Sequence, residues 1–201
     1  MTSADNPSLQ SKWDRIYRDR NESPEPSRVL AENDHLLPDS GTALDLACGL
    51  GGNALFLARR GFAVQAWDLS VEAIEKLHRS AVGLPIDAQV VDAEAITWPK
   101  MAFDVIVVGR FLIRALAPLV EAALKPGGVL FYQTFVRAKV DPEGPRNPAY
   151  LLDENELLRL FPGLIVRVYR EEAGCGDIRR GFRNEACLVG QRPEGEYNHV
   201  R

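Results

Sequence analysis

Two spacings of apolar residues alternate along the chain. Short apolar runs at 43–47, 62–67, 86–91, 103–108, 129–135, 164–169 and 182–190 read as strands. Between them apolar positions recur three and four residues apart. Trp13, Ile16 and Tyr17 share one face of an expected helix over 11–20. Further helices are expected over 27–33, 54–60, 70–81, 112–124 and 154–161, that over 70–81 burying Ala73, Ile74, Leu77 and Ala81. Punctuation agrees with the pattern. Ser70 and Asp153 are N-cap residues, Gly61 and Gly83 with Pro85 are stops, and Lys125-Pro126-Gly127-Gly128 is a tight turn. Pro118 implies a kink or break within 112–124.

Strands alternating with helices predict an α/β fold, a doubly wound, seven-stranded and mostly parallel sheet. A polar turn too short for a crossover helix joins the last two strands, so they should form a C-terminal antiparallel hairpin. The expected organisation is a flexible N-terminus at 1–10, one domain at 11–192 with a helical lid at 11–37, and a polar tail at 193–201. The connection 136–150 is long and rich in Pro, Gly, Arg and Lys; it leaves a strand's carboxyl end and should overhang the site.

Composition narrows the class. A chain of 201 residues with ordinary apolar and charged content suits one soluble domain. No apolar run is long enough to span a membrane, and the N-terminus lacks a secretory pattern. The net charge of −4 makes nucleic acid an unfavourable partner. Three cysteines without metal spacing suit a reducing, cytoplasmic setting, and no metal site is expected.

The chemistry concentrates in ALDLACGLGGNALFLARRGFAVQAWD, residues 43–68. It reads as strand, glycine turn, helix, strand and acid. Gly49, Gly51 and Ala54 fit G-x-G-x-x-A, and Asp68 follows at about the twenty-residue distance of a ribose-binding acid. Alone, that would also suit NAD. Asp45, inside the first strand, separates the two readings: a carboxylate there opposes a pyrophosphate but complements the cationic sulfonium and amine of S-adenosylmethionine. Asp92 follows the third strand and either accepts from an adenine amino group or caps a turn. The aromatic face of 11–20 either packs on the domain or covers the cofactor, with cation–π attraction to a sulfonium.

D-L-A-C-G-L-G-G resembles the first motif of class I S-adenosylmethionine-dependent methyltransferases, and the likeness extends from Trp13 to Gly190. W-D-R-I-Y, A-L-D-L-A-C-G-L-G-G-N, A-W-D-L-S and F-D-V-I-V-V are most similar to the tellurite-resistance and thiopurine methyltransferase group, the subgroup resting on the N-terminal helix and Asn53. The resemblance implies S-adenosylmethionine as cofactor and a Rossmann-like methyltransferase fold. It implies that Asp45, Ala47, Gly49 and Gly51 flank the methionine moiety, that Asp68 with Leu69 holds the ribose, that Asp92 and Ala93 border the adenine, and that Trp13 and Tyr17 lie nearby. Asn147-Pro148-Ala149-Tyr150 is similar to the N-P-P-Y of amino-group methyltransferases, but follows the fifth strand and not the fourth.

Arg110, at the end of the fourth strand, is the acceptor-side and cofactor-border candidate. It would hold an anionic acceptor two-pronged, or pair with a carboxylate. Arg114, Arg137 and Arg146 could add charge to the same mouth, and Arg179, Arg180 and Arg183 form a second basic run. His35, His78 and His199 read as surface residues, and Cys48 as a packing residue. With no evident base, the expected acceptor is a small, already nucleophilic molecule: a thiol, a chalcogen oxyanion or another anion. RNA or protein methylation, and cofactor binding without turnover, are the rival readings.

Overall fold

The computed structural model describes residues 8–20 and 23–195. Residues 1–7 and 196–201, which include most of the expected flexible N-terminus, the end of the polar tail and His199, lie outside them. Helix α1 spans Leu9–Arg18, and its start at Leu9 is earlier than the pattern suggested because Ser8 caps it, accepting from the Ser11 amide. Helix α2 is Arg28–Glu32. Then come β1 (Thr42–Leu46), α3 (Gly52–Arg59), β2 (Ala63–Asp68), α4 (Val71–Ser80), β3 (Ile86–Val90) and β4 (Phe103–Gly109). The chain closes with α5 (Ala117–Ala123), β5 (Leu124–Phe135), α6 (Glu156–Leu160), β6 (Ile165–Arg170) and β7 (Glu185–Gln191).

The sheet order is β3-β2-β1-β4-β5-β7-β6. The first five strands in chain order run parallel, while β7 pairs antiparallel with both β5 and β6. Strand β7 therefore slots between β5 and β6, and its first residues lie beside the ends of β5 and β4. Apolar layers cover both faces. Leu57, Val64, Ile74, Leu77 and Phe131 fill one, and Leu44, Leu46, Trp67, Ile106, Val120 and Phe161 fill the other. The order reverses between β1 and β4, which is where ligands bind in such sheets, beyond the carboxyl ends.

Further boundaries differ from the expected pattern. Helix α6 begins only at Glu156, with Asn155 and not Asp153 at its N-cap position. The expected helix 112–124 is a 3-10 turn at Arg114–Leu116 followed by the shorter α5. Pro118 has no amide hydrogen and is tolerated only in a helix's first turn, so it sets the start of α5 and leaves 111–113 as loop. Strand β5 begins at Leu124, opposite Phe103, with the register shifting before Val105.

Candidate functional site

A cavity of about 840 Å³ opens above the carboxyl ends of β1, β2, β4 and β5. Its cradle is the β1–α3 turn. Ala47, Gly49 and Gly51 there have left-handed φ of 55°, 53° and 82°. At Gly49 a Cβ would meet the Tyr17 hydroxyl at 2.7 Å, so the glycine lets the Tyr17 ring lie against the turn. Asp68, almost wholly buried at the end of β2, fastens the turn. Its Oδ2 accepts from the Gly49 amide at 2.8 Å and its Oδ1 from the Ser70 amide at 2.9 Å. A carboxylate has about four acceptor positions, so two bonds leave Asp68 lone pairs for vicinal hydroxyls in the cavity it lines. Burial pushes its pKa up.

Two residues expected beside the cofactor, Asp45 and Gly51, do not line the cavity. Asp45 is fully buried beneath the turn, where its oxygens accept from the Ala54 amide at 2.9 Å and the Asn53 side chain at 3.1 Å. Desolvation pushes its pKa up to about 7, partly opposed by those two donors. Asp45 therefore holds the first turn of α3 from below. Gly51 is likewise absent from the lining, and a Cβ there would strike Leu77 at 2.3 Å. It is glycine because its φ and the approach of α4 require it.

The other expected contacts do line the cavity: Trp13, Tyr17, Ala47, Gly49, Asn53, Asp68, Leu69, Asp92, Ala93 and Arg110. Asn53 bridges inward and outward, donating to Asp45 and accepting from the Ser27 amide at 2.7 Å. Asp92 is exposed and accepts from the Glu94 amide at 3.0 Å, so it caps a turn while it borders the cavity. Cys48 also lines the site, buried at the turn, and burial pushes its thiol pKa up.

Helix α1 lies across the cradle. Trp13 and Tyr17 stack, ring centroids 6.0 Å apart, and both face the cavity. The helix is clipped to α4: Asp14 accepts from the Ser70 hydroxyl at 2.7 Å, and Lys76 Nζ donates to the carbonyls of Tyr17, Arg18 and Arg20 at 2.7, 2.9 and 2.6 Å. A cation on the last carbonyls of a helix complements its dipole. Burial raises the Tyr17 hydroxyl's pKa, so it stays neutral.

The far half of the cavity is lined by Gly109, Arg110, Phe111, Ile113, Gln133, Phe135 and Glu185. Arg110, with φ 55°, donates from Nε to Glu185 Oε1 at 2.7 Å. Glu185 Oε2 accepts from Gln133 Nε2 at 2.5 Å, and Gln133 Oε1 accepts from the Val29 amide at 2.8 Å. Gln133 and Glu185 went unnoticed in the sequence. The only signal was a polar residue inside the buried run VLFYQTF and an acid opening EACLVG. Ser27 reaches over Gly109, and its buried Oγ has no hydrogen-bond partner among the described residues.

The additional arginines do not converge on this mouth. Arg114 binds Glu156 through two nitrogens and also donates to the carbonyls of Ala149 and Leu151. The pairing holds the Glu156 carboxyl below its usual range. Arg137 pairs with Asp153, and neither it nor Arg146 lines the cavity. Arg179 pairs with Asp177, while Arg183 donates to four carbonyls of its own hairpin loop, so most of that basic run is internal wiring. The connection 136–150 reaches the cavity only through Gly144. His35 and His78 are outside it, and no metal-holding cluster occurs among the described residues.

Residues 43–128 match a family model described as a methyltransferase domain. No curated protein matches the chain. Solved structures share the fold. One, reported for the conversion of a disulfide bond into a thioacetal group during echinomycin biosynthesis, is 23% identical with TM-score 0.69, covering 94% of each chain. TehB from Haemophilus influenzae is 20% identical with TM-score 0.66, covering 90% of this chain and 67% of that one. The geranyl diphosphate C-methyltransferase of Streptomyces coelicolor A3(2), solved with S-adenosyl-L-homocysteine, is 15% identical with TM-score 0.66, covering 94% and 100%. Residues 43–128 are thus similar to a methyltransferase domain, and along its length the chain shares a Rossmann-like fold with solved structures described as S-adenosylmethionine-dependent methyltransferases. The site suits S-adenosylmethionine: a cavity of adequate size, a left-handed glycine turn along its floor, and spare acceptor positions on Asp68.

Proposed function

We propose that the protein transfers a methyl group from S-adenosylmethionine to a small-molecule nucleophile seated at the ends of β4, β5 and β7, and that this nucleophile is anionic, such as a thiolate or a chalcogen oxyanion. The observation that carries the reading is the division of one cavity. One half is the glycine turn with Asp68; the other is a separate wall of Arg110, Phe111, Ile113 and Phe135. The fold likeness to the protein reported for disulfide-to-thioacetal conversion adds weight to a sulfur acceptor.

When bound, S-adenosylmethionine supplies a methyl carbon on a cationic sulfonium, which an in-line nucleophile displaces with a neutral thioether leaving. The chain's work is to bind, align and exclude water. Asp68 would hold the ribose hydroxyls, and Asp92 with Ala93 would border the base. Trp13 and Tyr17 would cover the sulfonium side with aromatic faces. Arg110 would orient the acceptor.

Calorimetric titration with S-adenosylmethionine, S-adenosylhomocysteine and NAD is the test. The first two should bind and NAD should not; binding of NAD alone would overturn the reading. A screen of thiols and oxyanions follows. Arg110→Ala should lower acceptor turnover about tenfold or more while leaving S-adenosylhomocysteine affinity within about twofold. Equal loss of both would remove Arg110 from the acceptor side. Cofactor binding with no turnover in the screen would favour a macromolecular acceptor or a binding-only protein. The setting we propose is cytoplasmic; among the described residues no helix is long and apolar enough to cross a membrane, and all three cysteines are free thiols.

A further inference from the structure

We infer that Glu185 and Gln133 are positioning residues for Arg110. They hold its guanidinium so that the free edge faces the acceptor half of the cavity, which selects small acceptors carrying an oxyanion on an apolar body. The inference rests on the methyl-transfer reading above and deepens its acceptor side.

The network runs in one direction. The Val29 amide can only donate, so it fixes which end of the Gln133 side chain is oxygen and turns the nitrogen toward Glu185. Glu185 then takes one donor on each oxygen, Gln133 Nε2 and Arg110 Nε. Gln133 is 4% exposed and Glu185 8%, whereas the Arg110 side chain is 67% exposed. Packing therefore fixes the carboxylate but leaves the arginine loose. What orients Arg110 is its one Nε bond, together with the Phe135 ring 5.5 Å from its guanidinium carbon. As a stabilising device such a pair is poor, because an ion pair with so exposed a partner contributes little. As a way to aim a guanidinium it is effective.

Arg110's two Nη groups carry no hydrogen bond among the described residues, and together they match two oxygens of one oxyanion. The backbone adds a second sign. Arg110 sits in a left-handed conformation that a non-glycine residue adopts at a cost, directly after the strand where the two halves of the cavity meet. Phe111, Ile113 and Phe135 give the same half its apolar walls. Glu185 spends one lone pair of each oxygen on its two donors, and its carboxylate repels an anion, so the arginine is the group an oxyanion would meet.

The test uses matched probes on the intact protein with S-adenosylhomocysteine present. Benzoate and benzylamine share an aromatic body and differ in charge, and nuclear magnetic resonance reads the Arg110 Nε–H directly. Wild type should show that Nε–H slowed in exchange and should bind benzoate in preference to benzylamine. Arg110→Ala should lose benzoate about tenfold. Glu185→Gln should lose the slowed signal and weaken benzoate about fivefold. Here positioning and charge cancellation predict opposite signs. Were Glu185 only neutralising Arg110, its removal would tighten benzoate. Tighter or unchanged benzoate in Glu185→Gln, a rapidly exchanging Nε–H in wild type, or a preference for benzylamine would each overturn the inference, the last making Glu185 the contact. The wild-type probe comparison and signal need no variant, so a Glu185→Gln protein that fails to fold leaves the decision intact. Loss of S-adenosylhomocysteine binding in wild type would refute the cofactor reading, while the Nε–H signal, measurable without ligand, would still decide the positioning.

Discussion

The two halves of the cavity are built in different ways. The half that we propose holds the cofactor is built on backbone and buried acids drawn from one continuous stretch. Asp45, the glycine turn, Asn53 and Asp68 fall within residues 43–68, and the bonds among them span at most nineteen positions. The half that we propose faces the acceptor is made of side chains from distant strands: Arg110 and Glu185 are 75 positions apart, and Gln133 reaches Val29 across 104. A site for one common cofactor can be local because its shape is set by turn geometry. A site for a particular acceptor is assembled wherever the sheet brings strand ends together, and it can change without disturbing the turn.

The sharpest way to break that comparison is Asp68→Ala. If the local motif carries the cofactor, S-adenosylhomocysteine affinity should fall about a hundredfold by calorimetry, since two charge-assisted bonds to ligand hydroxyls would go. A circular dichroism spectrum must stay unchanged, because Asp68 also fastens Gly49 and Ser70. A loss below about tenfold would mean that the motif contributes shape and little affinity.

Asp45→Asn separates contact from support within the same half. Asp45 is raised from 3.8 to about 7 in the folded protein, so the native state holds its proton more tightly than the unfolded chain does. That contribution to stability is fully present below about pH 4 and is lost as pH rises through about 7. Urea unfolding of wild type should show this decline, and Asp45→Asn should flatten it. Cofactor affinity should change far less than in Asp68→Ala; an equal loss would return Asp45 to the ligand.

The smallest expected effect asks whether the lid belongs to the cofactor half. Lys76→Met removes the cation on the last carbonyls of α1. S-adenosylhomocysteine affinity should drop about threefold to tenfold, in keeping with a helix-terminus interaction. An unchanged affinity would make α1 a packing element only.

Much of this was legible in the sequence because the signals were local. Strand runs, the Gly61 stop, the Ser70 cap and the short final connection each depend on a few neighbouring residues, and the resulting order of elements leaves few topologies open. The aromatic spacing of Trp13 and Tyr17 predicted a shared face that does meet the cavity. Where one residue could serve two purposes, the pattern was silent. Asp45 and Gly51 sit in the motif like their neighbours, yet the Asp45 carboxyl lies beneath the turn and Gly51 leaves room for the Leu77 side chain. Arg110, Arg114 and Arg137 looked alike as cations, and only their partners distinguish them.

The sequence by itself determined the sheet, the cofactor turn and the acid that closes it, because a left-handed turn, a cap or a buried run is imposed by residues adjacent in the chain. Only the tertiary structure decided that Gln133 and Glu185 stand behind Arg110 and that Asp45 supports the turn without lining the cavity. Those facts follow from strand order and from which face of the sheet each side chain leaves. Placing β7 between β5 and β6 is a long-range packing choice, settled by the burial of both faces of the sheet together, and no short stretch of sequence encodes it.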